Sequence, residues 1–235
     1  MLRLKMSHEF SKKPFTEFLS EDLPEKYLTV ENIRGLIWQI PDEEINQYSF
    51  RTHHVMTEDT NSIMAMGCSA SIGMGMEFDK RWSNVLEDIS GRTVYNLSCS
   101  GLGIDGIYRL IKVWLPRLKS KDICILFPRI QRREFWSEEQ DMFVCFGPWK
   151  NTVVDPEYSK QLRKLLRSED DIRMLAQMSM DAIKNVCKEN NVGLHTIDLE
   201  PQGIHHLDIA GDAVHPGPLS HKNWAEKFYD KIQNN

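Results

Sequence analysis

The sequence predicts an α/β protein, a three-layer α/β/α domain on a parallel sheet, and three observations carry that prediction. Strand-like and helix-like segments alternate from Ser62 onward, the pattern of a parallel sheet with helices on both faces. Residues 123–127 form an unbroken apolar run, as a strand covered on both sides requires. Residues 104–118 place Ile104, Ile107, Leu110, Ile111, Trp114, Leu115 and Leu118 along one helical stripe.

The elements follow in order. Residues 1–60 are polar, mixed in charge and punctuated by Pro14, Pro24 and Pro41, which predicts an N-terminal extension of short helices and loops wrapped on the main body. The main domain then spans 61–235. Residues 62–69 read as a short buried strand ending in a glycine turn, and 77–89 as a helix with Phe78, Trp82, Val85, Leu86 and Ile89 on its apolar face. Residues 93–98 are a second strand, rich in β-formers. The helix 104–118 and the strand 122–127 come next, followed by an irregular excursion over 129–156 of a length more often functional than idle. Residues 157–190 read as helical with a break near Ser168, and Met174, Met178 and Met180 are expected in its core packing. A fourth strand covers 193–199, and a closing helix capped by Ser220 covers 220–232.

Composition removes several classes of function. The 235 residues carry 29 Lys+Arg against 34 Asp+Glu, a formal net charge of −5, so no general electrostatic grip on nucleic acid is expected. Five cysteines, none spaced C-x-x-C, argue against a disulfide framework or a zinc ribbon. The start of the chain has no apolar run long enough for a signal peptide, and residues 123–127 are too few to span a bilayer. The expectation is a cytoplasmic protein with no membrane partner.

In open parallel sheets, ligands bind beyond the carboxyl ends of the strands. After the first strand comes Gly67-Cys68-Ser69, and after the second Asn96-Leu97-Ser98-Cys99-Ser100-Gly101. The third is followed by Pro128-Arg129-Ile130-Gln131, and the fourth, across a loop, by Asp212-Ala213-Val214-His215-Pro216. A hydroxyl, glycine amides, a carboxamide and an Asp/His pair thus share one rim, the set that acyl transfer requires. The three-residue spacing lets Asp212 accept the imidazole Nδ1–H of His215, which leaves Nε2 to take a proton from Ser69. The order Ser, Asp, His also occurs in α/β-hydrolases, but Ser71 stands where their G-x-S-x-G has its last glycine.

These residues resemble the SGNH/GDSL hydrolases, whose domain is flavodoxin-like. Gly67-Cys68-Ser69 matches the first block, G-D-S, with Cys in place of Asp. Gly101 matches the second-block glycine, and Asp212 to Pro216 matches the final D-x-x-H block followed by Pro and a helix. The resemblance covers roughly residues 60–235 and implies Ser69 as nucleophile, with the amides of Ser69 and Gly101 in the oxyanion hole. It departs at the third block, G-x-N-D, where Arg129, Gln131 and Arg132 stand at the glycine, asparagine and aspartate positions. Gln131 there offers a carboxamide on a longer side chain. The segment 82–109, with Asn96, Gly101 and Asp105 along it, is similar to SGNH-like proteins of tailed phages.

Each residue also has a plainer role. Ser69 could cap a helix, Asp212 and His215 could form an Asx-turn, and Gly101 could be a turn glycine with positive φ. Cys68 is expected as buried filler rather than a nucleophile. His205, His206, Asp208, Asp212 and His215 have the composition of a metal site but no regular ligand spacing, so no metal or cofactor is expected. The pair His53-His54 is placed at the surface. Arg129, Arg132 and Trp136 are candidates to hold an anionic or sugar-bearing substrate. The resulting expectation is a serine esterase acting on short acyl, O-acetyl, esters of a small molecule or glycan. The alternative is an inactive binding or structural module on the same fold.

Overall fold

The computed structural model describes residues 40–137, 142–146, 168–198 and 207–234. Its sheet contains β1 (Ile63–Met66), β2 (Val94–Asn96), β3 (Asp122–Phe127) and β6 (Gly193–Asp198), all parallel, in the order β2-β1-β3-β6. The chain moves outward from β1 to β2, then returns across β1 to β3. The direction of winding therefore reverses between β1 and β3, and their carboxyl ends flank the crevice where such sheets bind ligands.

Alternation along the strands sorts the core into two faces. Met64, Met66, Ile123, Ile125 and Phe127 pack with α3 (Ile104–Leu118) and α4 (Glu169–Glu189). Ile63, Ala65, Cys124 and Leu126 pack with α2 (Trp82–Ser90) and α5 (Pro218–Gln233). Each face is closed by a fully buried tryptophan, Trp114 on the first and Trp82 on the second. Truncating either to Ala would cost about 3–5 kcal/mol. The described layers are therefore helix, sheet, helix. From residues 40–60, Phe50 enters the first face and meets Trp114 edge-on at 5.8 Å.

The helix 104–118 and the strand 122–127 form over the expected residues. Several other expectations need correction. The helix expected over 77–89 is instead a 3-10 turn, Phe78–Lys80, and α2, separated by Arg81 in extended backbone at φ −71°, ψ 146°. Arg81 turns its guanidinium inward and is buried. The excursion expected to be irregular contains an antiparallel strand pair, β4 (Arg133–Ser137) with β5 (Met142–Phe146); its residues 138–141 and 147–156 lie outside the described residues. The closing helix starts at Pro218 with Gly217 as N-cap. Ser220 is its third residue and bonds Asp208 instead of capping. Met174 and Met178 are exposed at 56% and 60%, whereas the buried stripe of α4 is Ala176, Ile183, Val186 and Cys187. Met174 and Met178 lie on the opposite side of the helix from that stripe, whereas Met180 is partly buried and packs against the core as expected. Ser168 caps α4 through the Asp171 N–H at 3.0 Å, where a break was expected; residues 157–167 lie outside the described residues.

Candidate active site

At the end of β1, Gly67 is required by close approach: a Cβ there would stand 2.3 Å from Ser71 Oγ and 2.8 Å from the Leu126 carbonyl. The chain then turns into α1 (Ser69–Ile72), a four-residue helix. Cys68 occupies the N-cap, its carbonyl accepting from Ser71 N at 2.8 Å and Ile72 N at 2.9 Å. Ser69 is thus the first helical residue and not the cap. It is partly exposed between buried Cys68 and buried Ala70. Gly73 closes the helix in left-handed backbone at φ 77°.

The loop after β2 is tied to this turn by Cys99 N donating to Gly67 O at 3.2 Å. Gly101 follows at φ 76°, a conformation that favours glycine. The N–H groups of Ser69 and Gly101 have no hydrogen-bond partner among the described residues.

Asp212 and His215 meet as their spacing predicts. Asp212 Oδ1 accepts from Val214 N at 3.0 Å and His215 N at 2.9 Å, and its Oδ2 accepts from His215 Nδ1 at 2.5 Å. The Asx-turn and the side-chain pair therefore coexist. Because a carboxylate only accepts, the proton resides on Nδ1 and Nε2 is the basic nitrogen. Burial alone would raise the Asp212 carboxyl, but the three N–H donors outweigh it and hold the group below its ordinary range. The loop is stiffened by Ala210 N donating to His215 O at 2.7 Å and by an antiparallel bridge between Ile209 and Pro216.

The two halves of the site meet at Gly75. Its carbonyl accepts from Gly211 N at 3.1 Å, and a Cβ on it would stand 2.7 Å from Asp212 Cγ. The turn after the Ser69 helix is thus the seat of the Asp212 loop. His215 Nε2 and Ser69 Oγ are not hydrogen-bonded to each other or to any other described group. Nucleophile–base bonds are often unmade without substrate and tighten in the reacting complex.

The third bend is built differently. Gln131 Oε1 is buried with no partner among the described residues. Arg129 is exposed, and its carbonyl accepts from Arg132 N at 3.2 Å. The Arg132 carbonyl lies so close to Gly103 that a Cβ there would approach it to 2.5 Å. Trp136 packs edge-on against Phe143 at 5.0 Å within the strand pair. These three substrate-binding candidates therefore sit on the bend and strand pair, while Ser69, Asp212 and His215 are joined through Gly75.

Asp208, a candidate metal ligand by composition, instead caps α5. It accepts from Leu219 N at 2.8 Å, Ser220 N at 3.0 Å and Ser220 Oγ at 2.9 Å. His205 and His206 lie outside the described residues. Cys68 is buried. His53 is exposed, whereas His54 is partly buried and bonds Glu87 at 2.7 Å. Sequence reasoning missed Gly75 and Arg51, the latter described below; the Gly73-Met74-Gly75 spacing was the only signal of a tight turn.

No protein-family model matches the sequence, and no curated protein does so. Among solved structures, the chain is similar to a Desulfitobacterium hafniense DCB-2 protein assigned to the lipolytic G-D-S-L family, at 14% identity and a TM-score of 0.40 over 73% of this chain and 99% of that one. It is also similar to TesA, at 14% identity and a TM-score of 0.47 over 74% and 99%. A third similar structure is a family 3 carbohydrate esterase of Clostridium thermocellum, at 14% identity and a TM-score of 0.38 over 74% and 96%.

Proposed function

We propose that the chain is a serine ester hydrolase working through an acyl-serine intermediate. The observation that carries this reading is the Asp212–His215 pair, with Nδ1 held at 2.5 Å and Nε2 left open, seated on the turn of the helix that Ser69 begins. In the proposed reaction, Ser69 Oγ attacks the ester carbonyl while His215 Nε2 takes its proton. Asp212 holds the ring and stabilises the imidazolium. The oxyanion of the tetrahedral intermediate receives the Ser69 and Gly101 N–H groups and the Gln131 carboxamide. Collapse breaks the bond to the alcohol oxygen, which leaves with the proton from His215. Water, deprotonated by the same nitrogen, then attacks the acyl-serine and releases the acid.

The proposed substrates are short acyl esters, O-acetyl groups of a small molecule or glycan among them, with Arg129, Arg132 and Trp136 contacting the alcohol portion. Cytoplasmic location and a phage origin belong to the same proposal. Among the described residues, no helix is long and apolar enough to cross a membrane.

A second reading, an inactive module of the same architecture, is favoured by one observation: Ser69 and His215 share no hydrogen bond. One experiment separates the two. Wild type and Ser69→Ala are incubated with p-nitrophenyl acetate and with a fluorophosphonate probe. Hydrolysis and labelling that depend on Ser69 are expected; absence of both in the wild type supports the inactive module.

A further inference from the structure

One side chain from residues 40–60 reaches the turn that joins the two halves of the site. Arg51 is 2% exposed, and its guanidinium spreads over three carbonyls that follow Ser69. Nη1 donates to Ile72 O at 3.3 Å and to Gly73 O, and Nη2 donates to Met76 O at 2.9 Å. The remaining edge is held by Glu44, whose Oε2 accepts from Nε at 2.7 Å. A helix end leaves carbonyls without donors. A planar fork of five N–H groups can satisfy three such acceptors and a carboxylate together, which an ammonium cannot do in one plane.

A second arginine supports the first. Arg81 Nη1 donates to the Arg51 carbonyl at 2.8 Å, and its Nε donates to Phe78 O at 2.9 Å. The Arg81 stem fills the space beside Gly73, where a Cβ would approach Arg81 Cγ to 2.5 Å. The turn is thus gripped at Ile72, Gly73 and Met76, and between these grips Gly75 carries Gly211 and Asp212.

The geometry points to Arg51 as a positioning residue for hydrolysis: by fixing the 72–76 turn, it sets the placement of Ser69 against the Asp212–His215 pair. This rests on the reading of those three residues as the catalytic set. Ile72 and Gly73 close the helix that Ser69 opens, so the clamp acts on the nucleophile through one turn of backbone. It acts on the base through Gly75 and Asp212. Without the fork, the Ile72 and Met76 carbonyls lose their donor and Gly73 O keeps only Met76 N at 3.2 Å; the turn is free to shift, and a displacement of about 1 Å is worth about 10²-fold in rate.

The test compares wild type, Arg51→Met, Arg51→Lys, Arg51→Ala and Gly75→Ala. Two readouts are used: the rate of Ser69 labelling by a fluorophosphonate with kcat and KM for p-nitrophenyl acetate, and the tautomer of His215 from its imidazole 15N shifts, assigned with His215→Gln. In folded Arg51→Met, labelling and kcat should fall about 10²-fold with KM nearly unchanged. His215 should lose its exclusive Nδ1–H tautomer. Arg51→Lys should fall between Met and wild type, and Gly75→Ala, which pushes on Asp212 directly, should reproduce the tautomer change. Added guanidinium ion should restore part of the rate to Arg51→Ala and none to Gly75→Ala.

A folded Arg51→Met with unchanged labelling and tautomer overturns the proposal. Loss of the fold in both Arg51→Met and Arg51→Lys also overturns it, by assigning Arg51 to global stability. A wild type that neither hydrolyses nor labels defeats the esterase reading alone. The tautomer readout then still decides whether Arg51 holds the 72–76 turn against the Asp212–His215 pair: disturbance supports that placement, and no change refutes it.

Discussion

Among the described residues, two Asp–His pairs lie at opposite ends of one sheet, and their surroundings differ. At the amino ends of the strands, Asp122 bonds His195 Nε2 at 2.8 Å and Arg92 at 2.7 Å. The His195 side chain is 1% exposed, and Arg92 already neutralises the carboxylate. At the carboxyl-end rim, Asp212 bonds Nδ1 at 2.5 Å, His215 is 19% exposed, and Nε2 has no partner among the described residues. The same two residue types thus make a structural brace in one place and a candidate base in the other. What differs is which nitrogen is tied, whether a cation shares the carboxylate, and at which end of a parallel sheet the pair lies.

The sharpest way to break this comparison is to weaken both pairs alike. Asp212→Asn should lower kcat about 10⁴-fold by losing the Nδ1–H tautomer. Asp122→Asn should leave kcat within about twofold but lower stability by about 3 kcal/mol, since one partner of a buried pair is removed. Steady-state kinetics and urea unfolding of the two variants check both halves. Equal loss of activity from both substitutions would erase the distinction.

A third imidazole sharpens it. His221 is buried on α5; its Nδ1 accepts from Trp82 N at 3.0 Å, while its Nε2 is buried without a partner among the described residues. Burial first, and then the charge of Arg81, push its pKa down to about 3. The folded value lies below the ordinary 6.5, so the unfolded chain binds this proton first. Its contribution to stability is therefore complete above about pH 6.5 and is lost as pH falls toward 3, to a total on the order of 4 kcal/mol. Urea midpoints measured from pH 7 to 4 should fall steeply in the wild type and less in His221→Gln, whose side-chain carbonyl can still accept from Trp82.

The third-block bend ranks next. If the Gln131 carboxamide donates to the oxyanion, Gln131→Ala should lower kcat about 10²-fold with little change in KM. A loss below about threefold would leave the hole to the Ser69 and Gly101 amides alone.

The smallest expected effect has the opposite pH sign to that of His221. Asp105 accepts from Glu134 N at 3.0 Å and Gly106 N at 2.9 Å. Burial, with the Glu134 carboxylate nearby, still raises its pKa to about 6. A raised carboxyl favours the folded state at low pH, and that contribution is lost as pH rises from about 4 through 6. Asp105→Asn should therefore raise stability by about 2 kcal/mol at pH 7.5 relative to its effect at pH 4, read as a change in the Tm-versus-pH slope.

Legibility in the sequence followed the range of the interactions involved. Helix 104–118 and strand 122–127 were readable because periodicity and an apolar run are local signals. The Asp212–His215 bond was readable because three residues on one loop suffice to make it. The pairing of 133–137 with 142–146 was not, because it is fixed by cross-strand contacts. The exposed Met174 and Met178 misled for a related reason: which stripe of α4 faces the core is chosen by its neighbours, and methionine packs tolerably on either side.

By itself, the sequence determined the alternation of strands and helices, the two-faced strands, and the bond between Asp212 and His215 on one loop. Periodicity and short loop spacing are properties of a chain read in order, and those features need nothing more. Only the tertiary structure decided that Gly75 seats Asp212, that Arg51 grips the same turn from 21 to 25 residues away, and that Asp122 and His195, 73 residues apart, form the second pair. Such contacts depend on where distant backbone carbonyls and carboxylates come to rest, and three-dimensional packing sets that.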